Sequence, residues 1–388
     1  MSIKILLKPR FNGWSVHSLY SDVIESPPNG FKVYYQKPNK KSQLYSIDNK
    51  AANPWIKQLV YNLKPIPYII AQRFQKFDHS NYDLIYASQH VLFNEGLPWI
   101  TDLEFANAFA AFGNLSIIKN IIKKQFETNN CKFIIPWSEW SKNTLIQSID
   151  CKKIIEKIKV IPYTVKPKNF IRENHEQINF LFVGSNNPMN IQNIQFKNLR
   201  ETIIAFDNIS KKYDNVNLTI RSYLSQDLKH ITNKNPKINV IDTVLSQKQL
   251  YELYINADIF VLPAHETCGI SLFDAMSFEL PVIAMNVYDI PEAITHMKNG
   301  ILIEGHKDMK YYNKTNMPYD YSSQFVSDMK KYSNYIIIQL EDYFVKLIED
   351  SSLRGKLAKE ARKTIEKGKL SYEKRNTNLR EVFESAIK

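Results

Sequence analysis

DIFVLPAHETCGISLFDAMSFELPVIAM, running from Asp258 to Met285, is the stretch whose reading decides the fold. Ile259 to Leu262 is a short apolar run of the kind a buried parallel strand needs, and Pro263 ends it by removing a backbone donor. A loop begins there. Gly269 lets the backbone turn sharply, and Ser271 can cap a helix whose apolar positions Leu272, Phe273, Ala275 and Met276 face a sheet. Pro281 stops the helix, and Val282, Ile283 and Ala284 read as the next buried strand. The stretch is therefore strand, loop, helix, strand. Its loop opens at the carboxyl end of a strand, where ligands bind in open α/β sheets.

The chemistry on offer follows from that loop. The amides around Cys268, Gly269, Ile270 and Ser271 sit where a helix start presents unpaired donors and a positive dipole end, which suits a diphosphate. Glu266 stands before the glycine and Asp274 eight positions later, about one helical turn in. Both can accept hydrogen bonds from sugar or ribose hydroxyls. The alternative is a buried α/β unit whose acids only complement the helix dipole.

Bulk properties set limits on the rest. A chain of 388 residues exceeds one ordinary core, so two domains are expected. A hydrophobic fraction of 44% with 23% charged residues describes a globular chain. Met1 to Lys8 is broken by charge too soon to be a secretory or spanning segment, and no later run approaches about 20 apolar residues. Cys131, Cys151 and Cys268 have neither C-x-x-C spacing nor the density of a disulfide framework, so a cytoplasmic protein is expected. No cluster has metal-ligand spacing, and G-x-G-x-x-G is missing, so neither a metal nor a dinucleotide cofactor is expected.

Charge is unevenly spread. Residues 1–170 hold 23 Lys or Arg against 12 Asp or Glu, and the remainder 28 against 27. Such a basic half suits an anionic membrane surface, an anionic acceptor or nucleic acid, or is simply a solvated face. Its aromatics form no identifiable stacking platform, so no specific nucleic acid is expected.

Taken in order, Ile3 to Leu7 reads as a first strand, followed by a turn at Gly13 and a helix through Val23. Pro54 to Phe77 reads as two amphipathic helices separated near Pro65 and Pro67, which either cover a sheet or lie on a membrane surface. Asp83 to Ala87 and Pro98 to Leu103 are further strands, with His90, Asp102 and Glu104 as the conspicuous ionisable groups beside them. Leu115 to Phe126 is a basic amphipathic helix. Lys132 to Pro136, Ser138 to Gln147 and Lys159 to Pro162 complete an alternating set of strand, helix and strand. Thr164 to Asn174 reads as a linker. Asn179 to Val183 then gives a strand ending at Gly184 and Ser185, and a helix starts near Phe196-Lys197-Asn198 and runs to Ile209. Val216 to Ile220, followed by Arg221, and Asn239 to Val244 read as strands, with a capping box at Ser246 to Gln249. The polar, poorly periodic residues 304–334 precede three helices, at Tyr335 to Glu349, Ser352 to Lys367 and Glu373 to Ala386.

The opening stretch resembles the E-x7-E signature of retaining glycosyltransferases with the GT-B fold, the glycosyl transferases group 1 or family 4-like enzymes. The likeness runs in order from about Phe180 to Lys388 and is weaker before. It implies an α/β architecture of two Rossmann-like domains facing an interdomain cleft, residues 1–168 on the acceptor side and 175–370 binding the donor. The last helix, 373–388, would cross back to the first domain.

The implied reaction moves a sugar from a nucleoside diphosphate sugar to a glycan or lipid-linked acceptor, retaining anomeric configuration, without a cofactor. Glu266 would orient the donor sugar and Asp274, one methylene shorter than the family's Glu, would hold the ribose. Lys197 keeps one of the family's two phosphate-binding cations, while Ser185 after Gly184 replaces the other, an arginine, for which Arg221 is a substitute. Gly13 stands where the family often has a Gly-Gly pair near the donor phosphates. The family often places a histidine near the reacting sugar at a position held here by Thr101-Asp102, leaving His90 and Asp102 as catalytic candidates. Glu279-Leu280 replaces the family's usual glycine before Pro281-Val282-Ile283. The loop after the strand at 239–244 would line the base through backbone groups, which names no base. A catalytically silent nucleotide-sugar-binding protein and a nucleotide-sugar epimerase are the alternatives. The basic first half makes peripheral attachment to the inner face of a membrane one expectation, beside a solvated face.

Overall fold

The computed structural model of the chain describes residues 2–9, 18–35, 54–74, 78–93, 96–172, 176–185, 196–311 and 323–388. They form two compact units, the first mainly Met1–Tyr163 with Glu373–Lys388, the second Thr164–Tyr311 with Gln324–Tyr372.

In the first unit the elements run β1 (Ile3–Lys8), α1 (Ser18–Glu25), β2 (Phe31–Tyr35), α2 (Pro54–Leu63), α3 (Pro65–Phe74), β3 (Leu84–Ala87), β4 (Trp99–Leu103), α4 (Lys119–Phe126), β5 (Cys131–Pro136) and α5 (Glu139–Ser148). The five strands form a parallel sheet in the order β2-β1-β3-β4-β5. Ile5, Leu6 and Leu7 are all buried, as a strand covered on both faces requires. The strand expected over Lys159 to Pro162 does not form. The segment only leans on β5, with Lys159 N–H donating to the Ile134 carbonyl and Ile161 N–H to the Pro136 carbonyl, and Pro162 has no donor to extend the ladder. The turn at Gly13 lies outside the described residues.

The second unit continues with β6 (Ile178–Val183), α6 (Leu199–Ser210), β7 (Val216–Arg221), α7 (Gln226–Thr232), β8 (Ile238–Ile241), α8 (Gln247–Ile255), β9 (Ile259–Leu262), α9 (Ile270–Ser277), β10 (Val282–Met285), α10 (Ile290–Ala293), β11 (Ile301–Ile303), α11 (Ser323–Lys331), α12 (Ser333–Glu349) and α13 (Ser351–Glu366). Its parallel sheet has the order β11-β10-β9-β6-β7-β8. From β6 the chain winds outward through β7 and β8, then returns to the other side of β6 at β9. The order therefore reverses between β6 and β9, where Leu181 pairs with Phe260. Crossovers leave the two strands in opposite directions there and open a crevice at their carboxyl ends.

Two helix ends have local causes. The Ser246 side chain accepts from Gln249 N–H and the Gln249 side chain reaches back, closing a capping box at the start of α8. Helix α9 stops before Pro281, by hydrogen bonds from Leu280 N–H to the Ala275 carbonyl and from Glu279 N–H to the Met276 carbonyl, both 3.1 Å. This is a Schellman ending, which needs a left-handed residue, and Glu279 takes φ +56°. Arg172 closes over the exposed carbonyls, donating to Phe278 at 2.7 Å and to Ile255 at 3.1 Å.

The final helix, α14 (Tyr372–Ala386), belongs to the first unit through Leu379, Val382, Phe383 and Ala386, which share a core with Tyr20, Phe31 and Tyr86. The Phe383 ring meets Phe31 edge-on at 5.3 Å.

Candidate functional site

At the point where the second sheet reverses, two segments that are distant in sequence are laced together. His265 N–H donates to the Phe196 carbonyl at 2.7 Å. Asn198, the residue before α6, takes a left-handed φ of +51° and turns its amide back toward the β9 loop. There Asn198 Nδ2 donates to the Pro263 carbonyl at 2.8 Å and lies 3.0 Å from His265 Nε2. Between these clamps Lys197 Nζ meets Glu266 Oε2 at 2.5 Å, with side chains 18% and 22% exposed. A cation from the β6 crossover and a carboxylate from the β9 crossover thus converge where the topology opens a crevice.

His265 is the buried half of this arrangement. Because the Asn198 amide donates, Nε2 accepts and the ring proton resides on Nδ1, which finds no partner among the described residues. Tyr311 and Phe325 flank the ring, and burial brings its pKa down to about 3, so the imidazole is neutral.

The turn into α9 differs in part from its sequence reading. Gly269, not Ser271, is the N-cap, and Ser271 lies inside the first turn. The Cys268 amide is not available for a ligand, because it donates to Asp289 Oδ1 at 2.7 Å in a buried contact. The first-turn amides of Ile270 and Ser271 have no carbonyl one turn earlier in the helix to bond, and they share the half-buried rim with Gly269. Asp289 thereby anchors the turn from the opposite side.

Behind this turn Asp274 is buried in α9 beside Tyr254. The phenol of Tyr254 is pushed well above its usual pKa, first by burial and then by the Asp274 charge, with Arg221 acting in the opposite sense. Tyr254 hydroxyl donates to the Ser271 carbonyl at 3.4 Å. Arg221 Nη1 donates to the Gly184 carbonyl at 2.8 Å, and its Nε has no partner among the described residues. Gly184 admits no side chain there, since a Cβ would stand 2.5 Å from Ser222 Oγ. The Ser185 carbonyl accepts from Tyr223 N–H at 2.9 Å, prolonging the β6 and β7 pairing.

In the first unit, Asp102 ends up as the hub of a buried network in β4. Its carboxylate accepts from Tyr20 hydroxyl at 2.8 Å, Tyr86 hydroxyl at 3.2 Å, Gln89 N–H at 2.8 Å and Trp137 Nε1 at 3.2 Å. Burial still outweighs these four donors and brings its pKa up to about 6. His90 is fully buried and its Nδ1 donates to the Ser88 carbonyl at 3.0 Å. Among the described residues no group of three or more His, Cys, Asp or Glu could hold a metal ion.

Four residues of this geometry have no part in the sequence reading: Asn198 as a clamp, His265, Tyr254 and Asp289. His265 adjoins Glu266 and was within reach of a local reading. Asp289 lies 21 residues from Cys268, and no pattern links them.

Residues 177–316 match the family described as Glycosyl transferases group 1. No curated protein matches the chain in sequence. Among solved structures the chain is similar to a glycosyltransferase from Rickettsia africae ESF-5, at 14% identity over 100% of this chain and 99% of that one, with a TM-score of 0.58. It is similar to HepE of Anabaena in complex with UDP-glucose, at 15% identity over 99% and 100%, with a TM-score of 0.59. It is also similar to a mutant of S. aureus TarM in complex with fondaparinux, α-GlcNAc-glycerol and UDP, at 16% identity, covering 77% of this chain, with a TM-score of 0.53. The chain spans only 55% of the length of TarM. At such identities the likeness speaks for the fold. Residues 177–316, which carry Lys197, Glu266 and the turn at Gly269, thus match the glycosyl transferases group 1 model, in a chain of GT-B fold.

Proposed function

We propose that this protein transfers a sugar from a nucleoside diphosphate sugar to a glycan or lipid-linked acceptor, with retention of anomeric configuration. The observation that carries the reading is the Lys197–Glu266 pair at the reversal point of the second sheet. Lys197 exchanges Glu266 for the donor diphosphate and neutralises the charge that grows as the glycosidic bond breaks. First-turn amides of α9 at Ile270 and Ser271 add donors to the same group. Glu266, released from the lysine, accepts hydroxyl hydrogen bonds from the donor sugar. Asp274 takes the ribose side and Arg221 a phosphate, each by a short adjustment of its present contacts.

Retention is achieved by attack on the face from which the diphosphate leaves. The bond from the anomeric carbon to phosphate oxygen breaks, the bond to the acceptor oxygen forms, and the departing phosphate takes the acceptor proton. No protein base is required in that sequence. Asp102 and His90 are positioning residues of the first unit, since Asp102 already serves four donors and holds Gln89 and Trp137 in place.

A second reading, a nucleotide-sugar-binding protein without turnover, draws support from Glu266 already neutralising Lys197 and from Ser185 in place of a cation. A thermal-shift screen against UDP, GDP, ADP and their sugars, followed by proton NMR of the anomeric signal during donor hydrolysis, tests both. Stabilisation by one nucleoside diphosphate with slow release of sugar, abolished by Glu266→Gln, is expected. Binding without any release in wild type favours the silent reading, and no stabilisation by any of them ends both.

A further inference from the structure

We propose that the face formed by α2, α3 and residues 112–124 of the first unit docks on an anionic lipid bilayer. Helix α3 is apolar nearly all round. Pro65, Tyr68, Ile69 and Gln72 are its buried positions, yet Ile66, Ile70 and Phe74 on the other side are exposed. Leu59 and Leu63 of α2 extend that stripe at helical spacing. A helix apolar on both sides is one that meets a second apolar phase.

A neighbouring segment enlarges the same surface. Asn114 N–H donates to the Tyr61 carbonyl at 3.1 Å, and Asn114 Nδ2 to Asn62 Oδ1 at 2.9 Å, at the α2–α3 junction. Gly113 is pressed so closely there that a Cβ would lie 2.9 Å from the Pro65 ring. Around this seam Phe112, Ile117 and Ile121 are exposed, and all eight apolar side chains lie between 40 and 75% accessible. Together they exceed what scattered surface residues account for.

Charge selects the occupant. Residues 54–74 contain three Lys or Arg and no Asp or Glu, and residues 112–126 contain three Lys and no Asp or Glu. Arg73, Lys119 and Lys124 are exposed beside the apolar side chains. Lys123 is engaged by Asp150 at 2.7 Å and Glu127 at 3.9 Å, which leaves large aliphatic groups flanked by Arg73, Lys119 and Lys124, a match for an interfacial surface inserted among anionic headgroups. A nucleic acid would call for stacking aromatics, and the exposed apolar groups are mainly aliphatic. Among the described residues no helix is long and apolar enough to cross a membrane, so the contact is at the surface.

Vesicle flotation tests this with phosphatidylcholine alone and with roughly one third phosphatidylglycerol added. Wild type is expected to bind the anionic vesicles at least about tenfold more tightly than the neutral ones. Reversal of Arg73, Lys119 and Lys124 to Glu should remove that preference, by roughly fivefold or more per residue. Ile70→Asp with Phe74→Asp, both at exposed positions, should abolish binding to either vesicle while leaving the thermal shift with the screened nucleoside diphosphate at the wild-type value. Equal binding to both vesicles, or retention of binding by the apolar double variant, overturns the proposal. So does random DNA that binds as tightly as the anionic vesicles and is indifferent to the apolar substitutions. Absence of a response to any nucleoside diphosphate in wild type would bear on the transfer reaction alone, and the lipid result would stand separately.

Discussion

The exchange of Glu266 for a diphosphate at Lys197 makes opposite predictions for the two partners. The bridge is about four-fifths buried on each side. Its worth should therefore fall between an exposed pair, near 0–1 kcal/mol, and a fully buried one, about 3–5 kcal/mol when a partner is removed. For Lys197→Met, the nucleoside diphosphate selected by the thermal-shift screen loses a charge-assisted hydrogen bond worth roughly 1.5–3 kcal/mol, so its Kd should rise about ten- to a hundredfold. Glu266→Gln instead releases the ammonium before the ligand arrives. That diphosphate, which carries no transferable sugar for Glu266 to hold, should then bind about as tightly as to wild type or up to roughly fivefold tighter, while sugar transfer falls by at least a hundredfold. Isothermal titration with that diphosphate at fixed ionic strength, on wild type, both single variants and the double variant, reads all of this. The double variant should resemble Lys197→Met, because without the ammonium nothing remains for Glu266 to restrain. Weakening of the diphosphate by Glu266→Gln to the same degree as by Lys197→Met would refute the exchange. Both variants remaining within about twofold of wild type would reduce the pair to a structural bridge.

Four further outcomes follow from residues outside that pair. His265, with its pKa down to about 3 against about 6.5 when unfolded, contributes stability that is whole above pH 6.5 and lost as pH falls. Roughly 3 kcal/mol should be gone near pH 4, and His265→Gln should flatten that limb in urea titrations. Asp102, raised to about 6, acts in the opposite sense: its contribution is whole below about pH 4 and is lost as pH rises through 6, so Asp102→Asn should flatten that slope instead. Glu279→Gly should stabilise by about 0.5–1 kcal/mol in the same assay, because relief of the left-handed backbone exceeds the added flexibility of the unfolded chain. Cys131, Cys151 and Cys268 are all buried, with thiols pushed to about 12, to about 11 and well above the usual value. A thiol reagent at neutral pH should label none of them in the folded protein and all three after unfolding.

The sequence made the β9–α9–β10 segment legible because apolar runs four residues long, bounded by Pro263 and Pro281, have few other uses in a parallel sheet. The end of α9 was less plain, since Glu279 occupies a backbone shape that glycine advertises and glutamate conceals. Strand β2 has no clear signal of its own: Phe31–Tyr35 is short and alternates on one side only, and its place is set by pairing with β1. Strand β8 ends short of the Val244 that the apolar pattern predicts, because pairing with β7 stops at Ile241. At the site, residue types indicated Lys197 and Glu266 separately. Their meeting depends on β6 lying beside β9, a pairing across some eighty residues that no local pattern encodes. The Asp289 contact that occupies the Cys268 amide is of the same long-range kind.

Helix α14 has a consequence for how the chain can be made. Phe383 and its neighbours finish a core whose sheet is built from residues 3–136, so the sheet translated earliest waits for a cover translated after the whole second unit. Vectorial synthesis therefore leaves that half open the longest, exposed to aggregation, while the later half can close on its own segments. A cut at residue 163 would not yield two separable pieces. Supplying 372–388 as a separate peptide to a 1–163 fragment should restore what truncation removes.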